Sequence, residues 1–137
     1  IFKLYVQDKT ADLQGKSMAG AIHSLTYSPD GRQYAACSAN TELYIWFVDA
    51  MIPSVLYDLY TLEDGIVSIV YSKAGDILFG LEETGRLVAL SPSAPEILAT
   101  FTAHDLQRMG VDVELSPDGG LLASASSDGS VVIWGVP

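Results

Sequence analysis

The sequence predicts an all-β chain assembled from repeated four-stranded antiparallel sheets, and three observations carry that prediction. A period of 44 residues runs through it: Ser28-Pro29-Asp30-Gly31 returns 88 positions later as Ser116-Pro117-Asp118-Gly119, with Ser72-Lys73-Ala74-Gly75 midway. Trp46 and Trp134 keep the same spacing of 88, with Leu90 between them, and Tyr27, Tyr71 and Leu115 each precede a turn. Short apolar segments fill each period, Gly or Pro punctuates every 8 to 12 residues, and no segment sustains a helical period.

Each element follows from its local residues. Ile22, Leu25 and Tyr27 alternate as a first strand leading into Pro29-Asp30-Gly31, and the turn role falls to Asp30 and, one pair of periods later, to Asp118. Residues 33–38 make a second strand, Ala39-Asn40-Thr41 a polar break, residues 43–48 a third strand and residues 54–60 a fourth. The last repeat copies this pattern with strands at 121–126 and 131–134 around a turn at Ser127-Asp128-Gly129, while residues 96–102 supply the fourth strand before it. Residues 2–6 read as a third strand of an earlier set. Four short antiparallel strands per repeat make a β-propeller blade.

The predicted organisation is the end of a preceding blade at 1–19, repeats at 20–63 and 64–107, and a truncated repeat at 108–137. Closed propellers take about 4 to 8 blades, so an incomplete ring is expected. Its open apolar faces call for the remainder of the propeller or a partner to cover them. The chain opens at Ile1 and not at Met, and is expected to be cut from something longer.

Composition narrows the function. At 137 residues and 49% hydrophobic content the chain can build a core. A formal net charge of −10, with only 7 Lys and Arg, disfavours nucleic acid and anionic membrane as partners, since both reward clustered positive charge. No apolar run approaches the roughly 20 residues of a membrane span. The single cysteine, Cys37, lies in an apolar strand, is expected to be a buried inert thiol, and fits an intracellular, cytoplasmic setting.

The motifs resemble those of a known family. Leu13-Gln14-Gly15-Lys16 stands twelve residues before Ser28, His104 stands twelve before Ser116, and Leu122-Ala123-Ser124-Ala125-Ser126-Ser127-Asp128-Gly129-Ser130-Val131-Val132-Ile133-Trp134 follows. Together they are similar to the WD-repeat (tryptophan–aspartate) β-propeller family, strongly in the third repeat, well in the first and weakly in the second, where Leu90 replaces Trp. The resemblance implies a hydrogen-bonded network stapling the third blade through His104, Asp128, Trp134 and Ser124 or Ser126. Lys16, Asn40 and Trp46 in the first repeat, and Tyr60, Thr84 and Leu90 in the second, do not supply the full set. Those blades are expected to rely on apolar packing.

The family resemblance also implies a protein–protein interaction scaffold within a larger multiprotein assembly. Loops at one rim are the partner-binding face in such proteins. Here they carry Glu63, Asp64, Glu82, Glu83 and Asp105, relieved by Lys16 and Arg108, so a partner with a basic surface is expected. Asp112 and Glu114 alternate on an inner strand, where they read either as a paired acid site facing the central channel or as solvated or matched to a neighbouring blade. No metal-ligand spacing, nucleophile elbow or phosphate-cradling loop occurs, so no catalytic residue, metal or cofactor is expected. The alternative reading is a TolB-like or prolyl-oligopeptidase-like propeller, accessory to an enzyme or periplasmic complex, because those also carry Ser-Pro-Asp-Gly turns.

Overall fold

The computed structural model of the chain describes residues 18, 20–50, 52–57, 62, 64–102, 104 and 109–137. Among the described residues eleven strands form three antiparallel sheets, with no helix. The first sheet runs β1 (Ile22–Tyr27), β2 (Gln33–Ser38), β3 (Leu43–Phe47) and β4 (Val55–Tyr57). The second runs β5 (Ile66–Tyr71), β6 (Leu78–Glu82), β7 (Leu87–Leu90) and β8 (Ile97–Phe101). The third holds β9 (Gly110–Leu115), β10 (Leu121–Ser126) and β11 (Val131–Gly135). Each sheet is an up-and-down meander, and the three do not close a ring. The strand expected at 2–6 lies outside the described residues.

The turns show why the motif repeats. Ser28 Oγ donates to Asp30 Oδ1 at 2.6 Å and accepts the Gln33 amide at 2.9 Å, which closes the β1–β2 hairpin. Ser116 repeats both bonds with Asp118 and Leu121 at 2.6 and 2.9 Å. In the middle repeat the carboxylate moves to Asp76, and Ser72 Oγ still reaches it at 2.8 Å. Gly31, Gly75 and Gly119 hold φ of 71°, 78° and 79°, the left-handed region where a Cβ is costly, so the glycine recurs with the serine. Hydrogen bonds from Ser28 and Ser116 hold the Asp30 and Asp118 carboxyls below the usual aspartate range.

The core lies between the sheets. Ala35, Cys37, Leu43, Ile45, Val55 and Tyr57 of the first sheet pack against Ile66, Ile69, Tyr71, Leu78, Val88 and Leu90 of the second. Phe79, Leu81, Leu87 and Ala89 then meet Val113 and Leu122 of the third. Two sheet faces lose their apolar surface to water-free contact at each junction, which is why strands in the middle sheet read as nearly continuous apolar runs. Gly110 permits a close approach: a Cβ there would collide with the Glu82 carbonyl oxygen, and its amide donates to the Glu83 carbonyl at 2.9 Å.

Polar contacts fix the stacking further. Tyr57 is fully buried, and its hydroxyl accepts the Glu96 amide at 2.9 Å with the Ser91, Ala94 and Glu96 carbonyls each 2.8 Å away. The outer strand of one sheet is thereby pinned to the β7–β8 loop of the next.

Candidate functional site

One end of the stack is built by three equivalent turns. The amides of Ala39, Glu83 and Ser127 donate to the carbonyls of Ala21, Gly65 and Met109 at 2.9, 2.7 and 2.8 Å. These pairs are each 44 residues apart, so the β2–β3, β6–β7 and β10–β11 turns and the segments entering each sheet share one rim.

The third sheet supports its part of the rim with a continuous polar chain. Trp134 Nε1 donates to Ser124 Oγ at 2.9 Å, and Ser124 Oγ lies 2.7 Å from His104 Nε2. His104 Nδ1 lies 2.8 Å from Ser130 Oγ, which donates to Asp128 Oδ1 at 2.5 Å. His104 and Ser124 are buried, and Asp128 sits 3.7 Å from Nδ1 through its other oxygen. One assignment satisfies every donor: the indole to Ser124, Ser124 to Nε2, Nδ1–H to Ser130, and Ser130 to the carboxylate. In that order Nδ1 is the ring nitrogen that donates and Nε2 the one that accepts.

Ser126 stands apart from this chain. Its hydroxyl donates to the Met109 carbonyl at 3.1 Å and accepts the Asp128 amide at 3.2 Å, which shapes the turn. Ser130 is the member that sequence reasoning missed. Its signal was present as the residue directly after Asp128-Gly129, where a short hydroxyl can reach the aspartate two residues back.

Trp46 holds the position of Trp134 in the first sheet, but Ala36 stands where Ser124 would accept its indole hydrogen. Trp46 is buried, stacks on Tyr34 at 5.1 Å and meets Tyr44 edge-on at 5.5 Å, and its Nε1 has no acceptor among the described residues. Lys16 lies outside the described residues.

The acidic residues of the middle sheet divide into two groups. Glu82, expected on the exposed rim, is instead the last residue of β6 and is fully buried. Arg86 grips it with both arms, Nε to Oε2 at 2.5 Å and Nη2 to Oε1 at 3.2 Å, and extends to Asp64 at 3.9 Å. Glu82 occupies the register of Ser38 and Ser126, so an ion pair here takes the place of a hydroxyl. Glu83 is exposed beside Gly65, and half-buried Asp64 accepts a long 3.4 Å bond from Thr84. Glu63, Asp105 and Arg108 fall outside the described residues.

Asp112 and Glu114 flank Val113, the residue of β9 that packs in the cluster shared with the second sheet, and Asp112 still reaches that sheet. Asp112 Oδ1 accepts from Ser68 Oγ at 2.6 Å and from the Val113 amide at 2.9 Å. Cys37 is buried, and burial pushes its thiol up to about 12. Among the described residues no group of three or more His, Cys, Asp or Glu is placed to hold a metal, and no helix is long and apolar enough to cross a membrane.

Stacked antiparallel meanders joined by a repeating turn, two of four strands and a third of three strands stapled through Trp, Ser, His and Asp, define a set of β-propeller blades. The family model described as "WD domain, G-beta repeat" matches residues 8–46 and 95–135, more than half of the chain. The chain belongs to the WD40-repeat family. Two curated relatives, both named "Probable cytosolic iron-sulfur protein assembly protein 1" and from two strains of Cryptococcus neoformans, are 33% identical over 115 residues, 84% of this chain. The chain spans 24% of their length. The solved WD40 repeats of RRP9 superpose with a TM-score of 0.80 at 18% identity, over 89% of this chain and 37% of that one. U3-55K gives 0.79 at 18% identity, over 89% and 38%. Both matched stretches end at or just beyond a tryptophan of the 88-residue pair, and the unmatched middle is the repeat with Leu90. The WD40 match and the assembly-protein relatives fit an interaction scaffold and do not favour the TolB-like or prolyl-oligopeptidase-like alternative.

Proposed function

We propose that these blades serve as a protein–protein interaction scaffold in an intracellular, cytosolic multiprotein assembly, and that the rim carrying Glu83 and Asp64 receives a basic surface of the partner. The observation that carries this reading is the placement of exposed Glu83 beside the Gly65 segment on a rim whose turns are fixed by backbone hydrogen bonds, in a chain of net charge −10. A rigid acidic rim raises the encounter rate with a basic partner and weakens in salt. Membership of a generally non-catalytic repeat family supports a binding role, and the assembly function in the relatives' name supports the setting.

The test compares partners co-purified by Glu83→Lys with those of the wild type, with Asp49→Lys as control. Asp49 is exposed in the β3–β4 connection at the opposite rim. Partners lost with Glu83→Lys and retained with Asp49→Lys, with binding that weakens as salt is raised, support the proposal. Equal recovery from both variants rejects it.

A further inference from the structure

The sequence contains four Asp-Gly pairs: Asp30-Gly31, Asp64-Gly65, Asp118-Gly119 and Asp128-Gly129. Such a pair carries latent chemistry, because glycine has no side chain to shield its amide nitrogen from the preceding carboxyl carbon. Three of the four are locked. Asp30 Oδ1 accepts from Ser28 Oγ and the Arg32 amide at 2.6 and 3.0 Å. Asp118 Oδ1 accepts from Ser116 Oγ and the Gly120 amide at 2.6 and 3.0 Å. Asp128 Oδ1 accepts from the Ser130 amide at 2.7 Å and from the Ser130 hydroxyl. Each carboxyl is aimed at the amide two residues on, past the one that could attack it. The nucleophile is tied down as well, since the amides of Gly31, Gly119 and Gly129 donate to the carbonyls of Ser28, Ser116 and Ser126 at 2.9, 2.8 and 3.1 Å.

Asp64-Gly65 differs at both atoms. The Asp64 side chain is 39% exposed, with Oδ2 3.4 Å from Thr84 Oγ1 and 3.9 Å from Arg86. Among the described residues no turn hydrogen bond holds the Gly65 amide. We propose that Asp64 is a site of spontaneous isomerisation to isoaspartate. The Gly65 nitrogen attacks Cγ of the Asp64 carboxyl, an N–Cγ bond forms, and the amide proton leaves with the carboxyl hydroxyl as water. Water then opens the five-membered imide. Cleavage at Cγ restores aspartate. Cleavage at the main-chain carbonyl routes the chain through Cβ and Cγ and leaves the former backbone carbon as a free carboxylate. The product lies in the rim: the Gly65 carbonyl accepts the Glu83 amide at 2.7 Å, and one extra methylene ahead of Gly65 works against that bond. The chemistry stands whether or not this rim binds a partner.

The experiment ages the folded protein at neutral pH in oxygen-18 water and locates the label by fragmentation of its proteolytic peptides. Each passage through the imide exchanges one carboxyl oxygen, in aspartate and isoaspartate alike. Label at Asp64 should exceed that at Asp30, Asp118 or Asp128 by about tenfold or more, since attack at those three must first break hydrogen bonds. In urea the turns are lost, and the four sites should label to similar extents. Gly65→Ala keeps the carboxylate, and its Cβ meets Thr41 and Glu83 at ordinary contact distances, so it should suppress label at Asp64 without disturbing the rim. Comparable label at all four sites of the folded protein, no label at Asp64, or unchanged label in Gly65→Ala overturns the proposal. An excess at Asp64 that persists in urea assigns the reactivity to local sequence and not to the fold, and overturns it too.

Discussion

Trp46 and Trp134 occupy the same blade position 88 residues apart, yet among the described residues Trp134 finds an acceptor, Ser124 Oγ at 2.9 Å, while the buried Trp46 Nε1 has none. The difference traces to one residue, Ala36 in the register of Ser124. Ala36→Ser should place an acceptor beside Trp46 Nε1 and raise stability by about 1 kcal/mol, the usual worth of a buried hydrogen bond. Urea unfolding of the variant, read through tryptophan fluorescence, measures the gain. A loss would mean that the Tyr34–Trp46–Tyr44 cluster leaves no room for a hydroxyl.

The polar chain of the third sheet has a defined direction, which makes it testable by spectroscopy as well as by stability. Nitrogen-15 NMR should find His104 with its proton on Nδ1 and a bare Nε2. His104→Ala should cost about 2 kcal/mol, since it strands both the Ser124 hydroxyl and the Ser130–Asp128 pair in a buried setting. Ser130→Ala should cost about 1 kcal/mol. A proton found on Nε2 would reverse the chain and remove the role assigned to Ser130.

Much of this was legible from spacing, and the residues that were not share a physical reason. The strands expected at 33–38 and 121–126 coincide with β2 and β10, because a Gly-containing hairpin turn before each and a polar turn after it leave little freedom in register. The strand expected at 96–102 is trimmed to β8, Ile97–Phe101. Glu82 was read as a loop acid because Glu82-Glu83 looks like any solvated pair. Its burial is matched by Arg86, four residues on across the β6–β7 turn, a pairing that nothing in the residue pattern singles out. Thr41 was read as part of a polar break, but it holds φ 61° where Gly85 and Gly129 serve in the other sheets. A sequence pattern assigns the turn and does not say which residue bears the left-handed strain.

The Glu82–Arg86 pair predicts a non-additive mutant cycle. Arg86→Met removes both arms of a bidentate contact from a fully buried carboxylate and should cost about 3 kcal/mol. Glu82→Met should be costly as well, since it takes both of these contacts away from the guanidinium. The double variant should recover most of the loss, because two apolar side chains of similar length escape the desolvation that the ions incur. Denaturation of all three variants completes the cycle, and additive losses would show that the two side chains act independently.

Alkaline pH should destabilise the protein through its first two sheets. Cys37 is held up to about 12 by burial, from an ordinary value of 9.0. Tyr71 is raised from 10.0 to about 12, first by burial and then by the charge of Asp30. Both groups are neutral when protonated, so a raised value in the folded state works against folding in base. Below 9.0 the thiol is protonated in folded and unfolded chains alike and contributes no pH dependence. As pH rises past that point the unfolded chain releases the proton while the folded chain keeps it, and stability falls until the folded thiol itself ionises near 12. Unfolding free energies measured across the lower part of that window should therefore decline, and Cys37→Ala should make the decline shallower. The same burial predicts that the native thiol reacts with an aromatic disulfide reagent only as fast as the first sheet opens. Rapid reaction of folded protein at neutral pH would show that Cys37 is accessible and would remove the basis for its alkaline effect.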